Sequence, residues 1–297
     1  MRADAWLLEL DETRDEKQAL VPGVWLAAPG ARGASAASAA APGLAGPLSA
    51  ALTMDASVLD ERERERAAAF LRPADRTLYT VAHVALRTVL GGLLGERPED
   101  LRFTREPCPC CGEPHGRPAL DGARPEPPLH FSLSHTRGRV LIATAPVPVG
   151  ADVERRPDPD AVRDLMSVLH PSEQAEIEKG AEIEKGAEIE KGAEIEKGAE
   201  PEASGAEAAS GTGARPESGP VRRAAAFGRI WARKEAYLKG LGTGLGRAPH
   251  LDDLSAGAEP PAGWTLHDLP CGPTHHAAVA LHASHTTTRP PRLHRLT

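Results

Sequence analysis

The sequence predicts a mixed α/β protein, and three observations carry that prediction. Short runs rich in apolar and β-branched residues, at Leu129 to Ser134, Val140 to Ala145 and Val149 to Val153, are separated by turn residues and read as strands. Two longer stretches, about 74–94 and 221–242, repeat apolar residues at spacings of three and four, as one face of a helix requires. Both kinds of pattern occur in both halves of the chain. That argues for α/β or α+β packing rather than an all-helical fold.

Taken in order, WLLEL and VWLAA in residues 1–30 are candidate strands, and the small-residue stretch 30–50 reads as a linker. A helix is expected from Ser57, with Leu59, Ala67, Phe70 and Leu71 as its apolar face and Pro73 as its end. The helix at 74–94 is set by Leu78, Val81, Ala82, Ala85, Leu86, Val89, Leu90 and Leu93, and Gly95 and Pro98 close it. After the three strands, a helix is expected at Asp160 to Leu169, before Pro171. The helix at 221–242 rests on Phe227, Ile230, Trp231, Leu238 and Leu241 and ends at Gly240 and Gly242. Strands at Trp264 to Leu269 and Ala277 to His282 complete the pattern.

Residues 176–219 interrupt it. AEIEKG occurs four times from Ala175 to Gly198, followed by a Gly/Ala/Ser-rich tract. A period of six fits neither a helix nor a heptad. One Gly per copy costs about 1 kcal/mol of helix stability, and one Ile per copy builds no core. The stretch is expected to be a disordered or loosely helical insertion without chemistry of its own. It also explains the charge: the four copies hold 8 Glu and 4 Lys, so most of the net −7 is local.

With 297 residues the chain has room for one large domain or two of about 150. Apolar residues make up 40% and aromatics 3%, so the core must rest on Leu, Val and Ala. The acidic balance argues against general nucleic-acid binding. No apolar run approaches the roughly 20 residues of a membrane span, and the N-terminus has acids where a secretion signal would be basic. A cytoplasmic protein is expected. Cys108, Cys110 and Cys111 lie in CPCCGEPHGRP with His115 close behind. Three thiols and an imidazole could complete a zinc tetrahedron. Against this, C-x-C-C-x3-H is not a standard spacing, and the other reading is a surface loop of reduced thiols.

Three motifs carry chemistry. In Gly150-Ala151-Asp152-Val153-Glu154, strand alternation puts both carboxylates on one face. Oxygen ligands without His favour Mg²⁺ or Mn²⁺, while a solvated strand end is the plainer alternative. In Trp231-Ala232-Arg233-Lys234-Glu235-Ala236-Tyr237-Leu238-Lys239, the spacing of four aligns Trp231, Glu235 and Lys239 on one helix face. A surface ion pair would look the same. In Phe131-Ser132-Leu133-Ser134-His135-Thr136, the serines share one strand face, with His135 at the end. A triad of Ser134, His135 and Asp152 fails, because neighbouring strand residues point to opposite faces and no G-x-S-x-G elbow is present.

Together, F-S-L-S-H-T, G-A-D-V-E and W-A-R-K-E-A-Y-L-K-G-L-G-T-G-L resemble the 4′-phosphopantetheinyl transferases of the surfactin-synthetase-activating type. Gly116-Arg117-Pro118 and the helix carrying Ala85-Leu86-Arg87 add to the resemblance, which spans about 57–175 and 221–285. It implies two pseudo-symmetric α/β halves, 1–147 for coenzyme A phosphate contacts and 148–297 for the metal site and catalytic helix, with 176–219 inserted in the second. It implies transfer of the phosphopantetheine arm of coenzyme A to a serine of an acyl or peptidyl carrier protein, with release of 3′,5′-ADP. By the same resemblance Asp152, Glu154 and Glu235 would hold Mg²⁺ (or Mn²⁺), and Glu235 and Lys239 would be catalytic. Arg87, Arg117, Ser134 and His135 would bind coenzyme A. A monomer with no nucleic-acid or membrane partner is implied. Arg137, His83 and Arg117 depart from the family's common residues, which bears on the phosphate contacts. The rival readings are another metal-dependent pyrophosphate-cleaving enzyme and a non-catalytic homologue that binds coenzyme A or a carrier.

Overall fold

The structure is a computed structural model, and it describes residues 3–10, 55–122, 127–179, 218–282 and 290–296. The expected strand VWLAA, the expected linker at 30–50 and all but the two ends of the expected insertion lie outside them.

The expected mixed α/β architecture is present. A four-stranded sheet has the order β4-β5-β1-β9, with β1 at Asp4–Glu9, β4 at His130–Thr136, β5 at Arg139–Ala145 and β9 at Arg292–Leu296. A three-stranded antiparallel sheet has the order β6-β8-β7, with β6 at Val149–Arg155, β7 at Trp264–Leu269 and β8 at His275–His282. A small hairpin pairs β2 (Phe103–Arg105) with β3 (Pro118–Leu120). The helices are α1 (Glu61–Ala68), α2 (Pro73–Leu94), α3 (Pro159–Leu165), α4 (residues 171–179) and α5 (Gly219–Leu241).

These elements stack in four layers, as the alternation of each strand dictates. Ala5, Leu7, Leu141 and Ala143 from the first sheet meet Ala151, Val153, Val279 and Leu281 from the second. The opposite face of the first sheet, with Trp6, Leu8, Val140 and Ile142, takes Ala82, Ala85, Val89 and Leu90 of α2. The opposite face of the second, with Ala278, Ala280 and Trp264, takes Ala232, Ala236 and Tyr237 of α5. Small residues on both faces let the layers approach closely, which is how a chain with few aromatics fills a core.

Four differences from the sequence reading have physical causes. First, α2 is long and apolar enough to span a bilayer, contrary to the expectation that no stretch is. Its apolar face is used here to cover a sheet, and the fully buried Arg87 sits on it. Second, the chain end does not stay with the second half: β9 pairs in parallel with β1, with Trp6 stacked on His294 at 5.1 Å. Third, the first AEIEKG copy contributes to a core. Residues 171–179 are helical, and Ile177 is fully buried against Val162, Leu169, Phe227 and Ile230. One Ile can be buried when α3 and α5 supply the rest of the core. Fourth, Trp231 packs in this same cluster, stacked on Phe227 at 5.8 Å, rather than acting as part of a site with Glu235 and Lys239.

Candidate active site

The site lies where the edges of the two sheets meet. β4 and β6 are both edge strands, and β6 presents amides that have no ladder partner on that side. Serine hydroxyls of β4 satisfy them. The Ala151 N–H donates to Ser132 Oγ at 2.9 Å, and the Val153 N–H donates to Ser134 Oγ at 3.3 Å. The paired serines of F-S-L-S-H-T therefore fasten the two sheets together.

A glycine sets the distance of α5 from β6. A Cβ on Gly150 would lie 1.9 Å from Ala236 O and 2.3 Å from Gly240 N. A Cβ on Gly240 would lie 2.5 Å from the Trp264 ring. Gly150, Asp152 and Glu154 share the strand face that looks toward α5, so this close approach brings the strand carboxylates to the helix that carries Glu235 and Lys239.

Asp152 is the centre of the arrangement. It is 1% exposed, and its Oδ1 accepts hydrogen bonds from Lys239 Nζ at 2.6 Å and Ser134 Oγ at 2.9 Å. Lys239 Nζ also donates to Ser134 Oγ at 3.1 Å. Asp152 Oδ2 is buried and has no hydrogen-bond partner. Burial pushes the Asp152 carboxyl above its ordinary range, against the pull of the Lys239 ammonium. Glu154 is pushed up to about 7, by burial first and then by the charge of Asp152, with Glu235 adding to it. Glu235 is raised by burial and by Asp152. Three carboxylates that raise one another's affinity for protons beside a single ammonium form a site short of positive charge.

That shortage is what a divalent cation would relieve. An orphaned carboxylate oxygen, two further carboxylates and no imidazole among them suit Mg²⁺ or Mn²⁺ rather than zinc. Asp152, Glu154 and Glu235 thus fit the group, although their oxygens are not drawn to within 4.8 Å of one another.

The cations expected to meet coenzyme A divide. His135 extends from β4 on the face opposite Ser134, toward α2. Burial, then the charges of His83 and Lys239, hold its ring below the ordinary imidazole range, so it is neutral at pH 7. Arg87 is held by protein groups. It is fully buried, and its guanidinium donates to Glu63 at 2.7 Å, Asp60 at 2.9 Å and the carbonyls of Pro98 and Leu101 at 2.9 and 3.1 Å. With every nitrogen of its fork engaged, it ties α1 and the turn after α2 to α2. Arg117 is likewise engaged. Its Nε donates to Glu106 Oε2 at 2.9 Å and its Nη1 to the carbonyl of Gly240 at 2.8 Å. It braces the end of α5, one residue beyond Lys239.

Sequence reasoning missed a second buried ion pair on α5. Lys234, 1% exposed, lies 2.7 Å from the fully buried Glu173 and also donates to the Asp252 carbonyl. Glu173 accepts from the amides of Leu254 at 2.7 Å and His170 at 3.0 Å. The signal was Lys234 next to Glu235 in the W-x-x-K-E run. A strand-free tract at 171–179 gave no hint that its partner lay there.

The site falls within a stretch that is similar to known proteins. Residues 148–288, which hold Asp152, Glu154, Glu235 and Lys239, match the family described as the 4′-phosphopantetheinyl transferase superfamily. The matched stretch holds β6, α5, β7 and β8, the second sheet and the helix packed on it. It is also similar to the 4′-phosphopantetheinyl transferase HetI of Nostoc sp. (strain PCC 7120), with 26% identity over 234 residues, 76% of this chain and 79% of that one.

Proposed function

We propose that the protein moves the phosphopantetheine arm of coenzyme A onto a serine of an acyl or peptidyl carrier protein and releases 3′,5′-ADP, as a holo-acyl-carrier-protein synthase of the surfactin-synthetase-activating type. The observation that carries the reading is the orphaned Asp152 Oδ2 on a carboxylate that raises the pKa of both Glu154 and Glu235, inside the stretch that matches the superfamily. The Nostoc relative, named as a transferase of this class, supports it.

In this reading the serine hydroxyl attacks the phosphorus that bears the pantetheine arm, and the P–O bond to the departing 3′,5′-ADP breaks. Asp152, Glu154 and Glu235 would hold Mg²⁺, with Mn²⁺ as the alternative, which when bound supplies charge neutralisation to the pyrophosphate. Glu235, or a water it orients, accepts the serine proton. Lys239 stands ready to neutralise or protonate the leaving phosphate. Ser134 orients the Lys239 ammonium through its 3.1 Å contact. His135 supplies a neutral hydrogen-bonding ring toward the 3′-phosphate. The acidic carrier docks on a basic and apolar patch, and the chain works as a cytoplasmic monomer.

Mass spectrometry of a panel of apo-carriers, incubated with coenzyme A and Mg²⁺, tests the reading. A mass gain of one phosphopantetheine is expected. Release of 3′,5′-ADP without any carrier would instead point to a pyrophosphate-cleaving enzyme. Coenzyme A binding without turnover would point to a non-catalytic homologue.

A further inference from the structure

The loop joining β2 to β3 carries a second site, unconnected to the carboxylates. It holds Cys108, Cys110, Cys111 and His115, and the backbone folds tightly around the first of them. The Gly112 N–H donates to the Cys108 carbonyl at 2.8 Å, and the Cys108 and His115 amides donate to the Glu113 carbonyl at 2.7 and 2.8 Å. Gly112 takes φ +79°, a left-handed conformation that residues with a Cβ enter at a penalty. The turn directs the amides of Cys110 and Cys111 at the sulfur of Cys108, which is itself buried. Those amides, that of Cys110 above all, hold the Cys108 thiol below its ordinary range against the opposing effect of burial.

The structure also resolves the awkward spacing of the sequence. Cys111 Sγ lies 3.0 Å from His115 Nε2. Cys108, Cys111 and His115 each offer one ligand atom, and all three atoms lie within 4.8 Å of one another. In a tetrahedral zinc site with Zn–S near 2.3 Å, neighbouring sulfurs stand about 3.8 Å apart, so only a small contraction is needed. Cys110 falls outside this set. The pair that remains, Cys108 and Cys111, has C-x2-C spacing, as zinc ligands in small loops commonly do. Two soft sulfurs and one imidazole select zinc over magnesium or calcium.

We propose that Cys108, Cys111 and His115 bind one Zn²⁺, with solvent in the fourth position, and that the ion fixes the loop that braces the catalytic helix. The loop leads directly into that brace. The Gly116 amide donates to the Glu106 carbonyl at 2.9 Å, and the Glu106 amide donates to the Arg117 carbonyl at 2.9 Å. A Cβ on Gly116 would lie 2.5 Å from Glu106 O, so the two ends of the loop press together. Arg117 then reaches Gly240 at the end of α5. The role is structural: the ion closes the loop whose base holds Arg117.

The test is metal analysis of the full chain, purified under reducing conditions and then equilibrated with equimolar Zn²⁺ and desalted. One zinc per chain is expected. Replacement by Co²⁺ should give the intense visible bands of a tetrahedral ion and a thiolate charge-transfer band. Cys108→Ser and Cys111→Ser should each weaken metal binding at least about tenfold, while Cys110→Ser keeps it. Wild-type protein with native circular dichroism, reduced thiols, no retained zinc and no tetrahedral Co²⁺ spectrum would overturn the proposal. So would full retention of zinc by a folded Cys108→Ser, Cys111→Ser double variant.

Discussion

Lys239 Nζ lies 2.6 Å from Asp152 Oδ1, across the seam between α5 and β6, and it is the ammonium that accompanies the most deeply buried of the three carboxylates. A buried carboxylate left alone is costly, so Lys239→Ala should both destabilise the fold and impair the reaction. Transfer is expected to slow by on the order of 10²–10³, as when one preorganised charge-stabilising group is removed. Lys239→Arg keeps the charge and should recover part of the stability but less of the rate, because a planar fork replaces a compact ammonium. Rate and urea midpoint measured on the same preparations check this. A Lys239→Ala protein with an undiminished rate would remove Lys239 from the reaction.

Gly150→Ala should act through the same seam without touching any ionisable group. The added methyl would meet Ala236 O and Gly240 N, both backbone atoms, so α5 must shift rather than a side chain. A loss of on the order of 1–3 kcal/mol is expected from overpacking. Activity should fall further than stability, because a displacement of about 1 Å at a site can cost 10²-fold. Urea denaturation alongside the transfer rate separates the two. A stable, fully active variant would show that the contact does not set the geometry of Glu235 and Lys239.

Much of this was legible in the chain because period and function coincided. Asp152 and Glu154 could be placed on one strand face, and Glu235 and Lys239 on one helix face, since alternation and the spacing of four are local properties. The strands β7 and β8 and the helices α2 and α5 were legible for the same reason. What could not be read was the direction of long basic side chains. Arg87 sits at an ordinary helix position, and only the fold brings Asp60, Glu63 and two carbonyls around it. The burial of Ile177 was hidden by a repeat that looks uniform, although its first copy meets α3 and α5. The pairing of β9 with β1 joins residues nearly 290 positions apart, and no local signal reports such a contact.

Arg87 yields a prediction that separates a structural cation from a ligand-binding one. Removing its guanidinium leaves the carboxylates of Asp60 and Glu63 without their partner, and breaking a buried pair costs about 3–5 kcal/mol. Arg87→Lys should lower the urea midpoint substantially, because one ammonium cannot serve four acceptors. The KM for coenzyme A in the folded protein should stay unchanged. A raised KM with an unchanged midpoint would restore Arg87 to the phosphate site.

Glu63 makes the same cluster responsive to pH. Its burial alone would raise the carboxyl, but hydrogen bonds from His83, the Asp60 amide and Arg87 outweigh that and bring it below its ordinary 4.5. The folded state therefore holds this proton less tightly than the unfolded chain does. The resulting stabilisation is complete above about 4.5, the unfolded value, and is lost as the pH falls through the lower folded value. Glu63→Gln removes the titrating group while keeping its size. The wild type should exceed the variant in urea midpoint at pH 7, and the gap should close on acidification below about pH 4.5. A gap that stays constant across that range would mean that the Glu63 charge contributes nothing and that the cluster is held by packing alone.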